Sequence, residues 1–326
     1  MKAIQVDTRQ AGHPLAWRET ADPSYGPEEV LLDIHATALN RADLAQRAGN
    51  YPPPPGASEI LGLDMAGRIA EMGSKVTGWQ IGDKVCALLA GGGYAERVAA
   101  PYQMLMPIPE GWNYEEAAAM PEVFLTAFVN LFMEAGFRPG ETVLMHGGSS
   151  GVGTAAIQLI REAGGHMFIT ASTQEKLDFC KELGAELAIN YEQEDFTERI
   201  QRFTDGRGVD IILDIVGADY LARNLSLLRP QGRLVVISTL SGSQTAIDLR
   251  VLMGRRLRLI GSVLRSRSPE EKVQIKQQFM KRFWPQLERG TIKPVIDSVL
   301  PIQQAEQAHR RMMDYKNIGK IVLKVR

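Results

Sequence analysis

The chain has 326 residues, 44% of them apolar, enough for a substantial buried core and about two domains. With 37 basic against 38 acidic side chains the formal charge is −1, so no net field draws in nucleic acid or an anionic membrane surface. Cys86 and Cys180 stand outside any CxxC spacing, which leaves neither a disulfide framework nor a four-thiolate metal lobe; both read as buried small hydrophobes.

The opening MKAIQVDTRQAGHP has no apolar leader, and no stretch reads as approaching the roughly 20 apolar residues that cross a bilayer, so a cytoplasmic protein is expected. The first third is β-rich: EVLLDIHATALN, AGRIAEMG and DKVCALL are short apolar runs broken by Gly, Pro and Asp. Between them Pro52 to Pro55 lack backbone N–H donors, which makes GNYPPPPGASEILG a surface loop. From Glu115 the period becomes helical, interrupted near Pro121 and closed by Gly136.

Strands and helices then alternate: TVLMHGG, GVGTAAIQLIREAGG, HMFITAS, QEKLDFCKELGA, LAINY, DFTERIQRFTDG and VDIILDIVG. A helical YLARNLSLLRP and the strands RLVVIST and LRLIGSVL follow. Apolar strands separated by helices of about 10 to 15 residues predict a doubly wound parallel sheet in an α/β fold. Beyond Arg267 a long helix, SPEEKVQIKQQFMKRFWPQLERG, leads to PVIDSVL, a short helix and a last strand GKIVLKV, expected to return to the first domain. The boundaries read as 1–121 completed by 267–326, with 122–266 as the nucleotide domain.

Gly148, Ser150, Gly151, Val152 and Gly153 lie between the strand TVLMHGG and a helix. There a glycine-rich turn and a helix N-terminus present N–H groups to a pyrophosphate, and the strand-helix units that follow make this more than a bland glycine turn. Ser150 stands where the middle glycine of GxGxxG is usual, either as a ligand to phosphate or nicotinamide ribose or as a tolerated small turn residue. The second strand runs into Ala171, Ser172, Thr173 and Gln174, with Lys176 beyond and no carboxylate at its tip. A 2′-OH of NAD is usually held by Asp or Glu there and a 2′-phosphate by a cation, so NADPH is expected. The plainer reading of Lys176 is a solvated helix face.

These elements, in this order, resemble the medium-chain dehydrogenase/reductase superfamily and, within it, the zeta-crystallin type of quinone oxidoreductase, most of all its tumour-suppressor-induced animal branch. The resemblance is carried by LNRADL at 39–44, GNYPPPPGASEILGLDMAG at 49–67, LLAGGGYAE at 88–96, PEVFLTAF at 121–128, HGGSSGVGTAAIQL at 146–159 and NIGKIVL at 317–323. It implies a GroES-like β-rich catalytic domain beside a Rossmann domain. Zinc alcohol dehydrogenases of the superfamily have a cysteine ligand where this chain has Asn40, and Gly-His-Glu where it has Gly62, Leu63 and Asp64. Zinc needs about three protein ligands of the Cys, His or carboxylate type, and the five histidines form no HxH or HxxxH pair, so no metal is expected.

Without a Lewis acid, a quinone suits the site, because hydride addition gives a resonance-stabilised phenolate that positioning and modest hydrogen bonding can support. Tyr51, on the rigid proline loop, and Asn40 are the candidates to face acceptor or nicotinamide; the alternatives are that Tyr51 only packs the loop and Asn40 only caps the RADL turn. The resemblance further implies cofactor contacts at Thr126, Tyr191, Ser238, Thr239 and Asn317. An apolar sheet edge at LRLIGSVL implies a homodimer paired through it. The same residues also fit an NADPH-dependent enone or alkenal reductase, or a non-catalytic NADPH-binding protein.

Overall fold

Six parallel strands form the sheet of the central segment, and their order is the doubly wound one. A computed structural model describes residues 1–326, which divide into two units: Met1–Leu125 with Arg265–Arg326, and Thr126–Leu264.

In the first unit β1 (Lys2–Val6) and β2 (Leu15–Glu19) form an antiparallel pair. Next come β3 (Glu29–Ala38), α1 (Arg41–Arg47), β4 (Asp64–Met72), β5 (Lys84–Leu88), β6 (Arg97–Pro101) and β7 (Leu105–Pro107). Helices α2 (Tyr114–Ala118) and α3 (Pro121–Phe128) end the first stretch. In the second unit β8 (Thr142–His146), α4 (Gly151–Glu162), β9 (His166–Ala171), α5 (Gln174–Leu183) and β10 (Leu187–Asn190) are followed by α6 (Phe196–Phe203), β11 (Val209–Asp214) and α7 (Leu221–Leu227). It closes with β12 (Leu228–Val236), α8 (Leu249–Arg255) and β13 (Arg258–Gly261). The chain returns to the first unit with α9 (Pro269–Glu288), β14 (Ile296–Pro301), α10 (Ala305–Met313) and β15 (Lys320–Lys324).

The second unit's sheet runs β10-β9-β8-β11-β12-β13, every neighbouring pair parallel. Central β8 reads TVLMH and is buried throughout, because helices cover both faces of a parallel sheet. The first unit's larger sheet runs β14-β15-β3-β4-β5-β7, with β6 also on β3, so the C-terminal strand pairs antiparallel with a strand of the chain's first stretch, Val322 facing Ala38. Val30, Leu32, Ile34, Met65, Ile69 and Val85 pack on one face of this sheet. Helix α9 starts where the sequence predicts: Ser268 and Glu271 form a reciprocal capping box and Pro269 opens the first turn. Both cysteines are buried, as expected.

Three expectations are corrected. Tyr114–Glu134 is, by length and composition, an apolar run long enough to cross a bilayer; it is broken into α2, α3 and a π-helical turn, and most of it is buried within the protein, which accounts for its composition. The strand expected at LRLIGSVL is only the four residues of β13. β12 stops at Val236, leaving Ser238 and Thr239 in the loop beyond it.

Candidate active site

The nucleotide turn follows from three glycines. Gly147 has φ +72°, a conformation L side chains rarely adopt. A Cβ on Gly148 would lie 2.4 Å from Cβ of Ile169, and one on Gly153 would lie 2.4 Å and 2.5 Å from the carbonyl oxygens of Gly148 and Gly147. These contacts let α4 start directly off β8. Ser150 is its N-cap, with Oγ accepting the Gly153 N–H at 3.0 Å. A helix's first-turn amides have no carbonyl partner in their own helix, so those of Gly151 and Val152 remain for a ligand oxygen, and the Ser150 hydroxyl keeps its own proton to donate. This cradle fits a pyrophosphate.

Ser172, Lys176, Tyr191, Ser238 and Thr239 belong to the same edge, the carboxyl ends of the strands. Thr173 caps α5 by accepting the Lys176 N–H at 3.4 Å, and no carboxylate stands between Ala171 and Gln174. Lys176 is only 8% exposed and so lies on no solvated face. Tyr191 donates its backbone N–H to the Ala171 carbonyl at 3.2 Å, and the residue is 41% exposed. Thr126 is buried, and its carbonyl accepts from Asn130 Nδ2 at 2.8 Å. Sequence reasoning missed Asp214 at the end of β11, whose carboxylate accepts the N–H groups of Val216 and Gly217 at 2.7 and 3.1 Å; burial pushes its pKa up. The signal was the DIVG turn at a strand's carboxyl end. Gly217, at φ +90°, lets this turn approach Thr239, whose Cα would lie 2.9 Å from an added Cβ.

In the first unit, strand register assembles a buried polar cluster. Ala38 of β3 pairs with Val322 of β15, and Ala36 with Ala66 of β4. Asn40 lies two residues beyond Ala38, Lys320 two before Val322 and Asp64 two before Ala66, so the three side chains converge at one end of adjacent strands. Lys320 Nζ donates to Asn40 Oδ1 at 2.6 Å and to Asp64 Oδ2 at 2.9 Å. Asn40 Nδ2 donates to Asp64 Oδ2 at 2.8 Å and to the Ala38 carbonyl at 3.3 Å, and the Glu122 N–H donates to Asp64 Oδ1 at 2.7 Å. Both Asn40 amide protons are thereby committed, and Oδ1 retains one lone pair. Its backbone N–H donates to Asp43 Oδ2 at 2.8 Å; Asp43 also accepts from Gly62 N and the Tyr94 hydroxyl, and burial raises its pKa to about 6. Asn317, in the turn before β15, donates from Nδ2 to the Gly319 carbonyl at 2.8 Å.

Tyr51 starts the proline loop, half-buried, with the Arg265 guanidinium 5.3 Å from its ring centroid. Burial raises the Tyr51 pKa; Arg265 opposes that shift and Glu122 adds to it.

The zinc of related alcohol dehydrogenases does not fit this cluster. Leu63 is a buried hydrocarbon, the Asn40 amide protons are committed and its oxygen holds the Lys320 ammonium, and the Asp64 oxygens are taken by an ammonium, an amide and a backbone N–H. No group of three His, Cys, Asp or Glu side chains is placed to hold a metal ion. Lys320 and Asp64 are the residues whose partnership sequence reasoning did not find, although both lie in motifs it quoted.

Two family models match the chain: alcohol dehydrogenase GroES-like domain over residues 26–110 and zinc-binding dehydrogenase over residues 151–280. A quinone oxidoreductase of Mus musculus is 33% identical, covering 99% of this chain and 97% of its own. Among solved structures, an Escherichia coli quinone oxidoreductase complexed with NADPH has TM-score 0.89 at 26% identity, covering 100% of both chains. An NAD-dependent alcohol dehydrogenase has 0.87 at 31%, also over 100% of both, and the CurK enoyl reductase 0.86 at 28%, over 99% of this chain and 98% of its own. The chain belongs to the medium-chain dehydrogenase/reductase superfamily, among its quinone oxidoreductases. Oxidoreduction with a nicotinamide nucleotide is the chemistry of this class.

Proposed function

We propose that the protein reduces a quinone or similar conjugated carbonyl with NADPH and without a metal. The observation that carries this reading is the Lys320 ammonium on Asp64 and Asn40, which fills the one polar cluster where a Lewis acid would be sought. An acceptor that takes hydride unaided is then required, and a quinone becomes a stabilised phenolate. NADPH, when bound, supplies the hydride. Gly148, Gly151, Val152 and Gly153 hold the pyrophosphate through backbone amides, with Ser150 donating its hydroxyl proton. Ser172 and Lys176 take the 2′-phosphate, and Tyr191, Ser238 and Thr239 line the nucleotide. Asn40, with only a lone pair to offer, accepts from a ribose hydroxyl, leaving Tyr51 as the donor to the acceptor carbonyl; Thr126 and Asn317 complete the nucleotide contacts.

The test is NADPH and NADH oxidation with an ortho-quinone and a chelator present. Rapid, chelator-resistant turnover favouring NADPH is expected; NADH-favouring or chelator-sensitive turnover overturns the reading. The enoyl reductase neighbour favours a second one, hydride delivery to the β-carbon of an enone, and a panel of enones run beside the quinone separates the two. Tight NADPH binding with neither acceptor consumed would leave a binding protein. For assembly we propose a homodimer through β13, an edge strand with Leu259 and, just beyond it, Val263 exposed.

A further inference from the structure

Arg265 is 7% exposed, and every acceptor it meets is uncharged. Its Nε and one terminal nitrogen donate to the Ala90 carbonyl at 2.9 and 2.7 Å, the same terminal nitrogen to Gln46 Oε1 at 2.7 Å, and the other to the Tyr51 carbonyl at 3.4 Å. A guanidinium buried this far usually answers a carboxylate. Here its charge faces the Tyr51 ring. The other charged groups about the pair are Glu122 at the start of α3, which acts on Tyr51, and Asp43 of α1 and Lys272 of α9, which act on or bond Arg265.

We infer that Arg265 is a positioning residue for Tyr51: its planar fork ties the proline loop to the Ala90 and Gln46 segments, and its unpaired charge stabilises the Tyr51 oxygen as it gives up its proton to the acceptor. This rests on the reading of Tyr51 as the acceptor's donor. With NADPH bound, the cofactor would supply the hydride, and the π pair of the quinone carbonyl would move onto its oxygen, which is the atom Tyr51 serves. The Tyr51 O–H bond then breaks to protonate that oxygen, and water reprotonates the tyrosinate. Burial and the Glu122 charge favour neutral Tyr51, and the Arg265 guanidinium against its ring pulls the other way. Guanidinium rather than ammonium suits the task because three separate nitrogens reach the Ala90, Gln46 and Tyr51 acceptors at once while the charge stays on the ring.

The experiment titrates Tyr51 by phenolate absorbance, as the difference between the protein and its Tyr51→Phe variant, and repeats it in Arg265→Met and Arg265→Lys beside steady-state kinetics and NADPH affinity. Arg265→Met should raise the Tyr51 proton affinity about tenfold, one pH unit, and lower kcat, with NADPH affinity within about twofold. Arg265→Lys keeps the charge and loses the fork, so the midpoint should stay while kcat falls; this arm stands even where Arg265→Met does not fold. Unmoved titration in Arg265→Met, or full kcat in Arg265→Lys, overturns the role of Arg265. Full turnover in Tyr51→Phe instead overturns the reading of Tyr51 and leaves the titration result to stand by itself.

Discussion

Lys320 donates to Asp64 across 2.9 Å with 3% and 0% of the two side chains exposed, an ion pair sealed where β15 and β4 flank β3 and braced by Asn40. Two charges removed from water hold each other only while both are present. Lys320→Met should therefore cost about 3 to 5 kcal/mol of stability, the range for breaking one side of a buried pair. The double variant Asp64→Asn with Lys320→Met should recover most of it. Denaturant unfolding of both measures this; equal losses in the single and double variants would mean that the charges do not compensate each other.

The 2′-phosphate assignment makes a cofactor-specific prediction. Lys176→Ala should raise the KM for NADPH and leave that for NADH nearly unchanged, because a charge-assisted contact to phosphate is worth roughly 1.5 to 3 kcal/mol, about ten- to a hundredfold. Equal effects on both nucleotides would return Lys176 to a purely structural place beside Cys180, one turn further along α5.

Gly153 tests the cradle without touching a charge. A methyl at this position meets the backbone oxygens of Gly147 and Gly148, which cannot rotate aside. Gly153→Ala should lower stability by about 1 to 3 kcal/mol, the usual cost of overpacking, and weaken binding of both NADPH and NADH. Thermal melting with fluorescence titration of the nucleotide reads both; unaltered affinity would move the pyrophosphate away from this turn.

Order along the chain is legible in the sequence because it is local. Strand β8 shows itself as a continuous apolar run, α9 by Ser268, Pro269 and Glu271, and the nucleotide turn by glycines whose spacing reflects close backbone approach. What depends on register is not legible. Lys320 and Asp64 are 256 positions apart, and nothing around either says that β3 will place them together. Arg265 is equally opaque, since its partners at 46, 51 and 90 are fixed by a chain return through an entire intervening unit. Composition can also mislead: Tyr114–Glu134 is apolar because it is buried in protein.

Acid should destabilise the fold through its buried histidines. His146 is enclosed between Thr170 Oγ1 at 3.1 Å and Asn224 Oδ1 at 2.8 Å, and burial holds its pKa down to about 4. His309, beside the Tyr94 hydroxyl, is held down to about 3 by the same cause. In the unfolded chain both titrate near 6.5, so as pH falls below 6.5 the unfolded state binds protons that the folded state refuses. Their stabilisation is complete above that pH and is lost progressively down to about 4 and about 3. For His146 the loss is on the order of 3 kcal/mol. Asp43 works in the opposite sense: with its folded pKa near 6, the native state takes up a proton first between there and 3.8, returning part of the loss. Melting temperature should thus fall from pH 7 to pH 4.5. His146→Gln, although less stable at pH 7, should show a shallower fall, and parallel curves for variant and parent would place the acid sensitivity elsewhere.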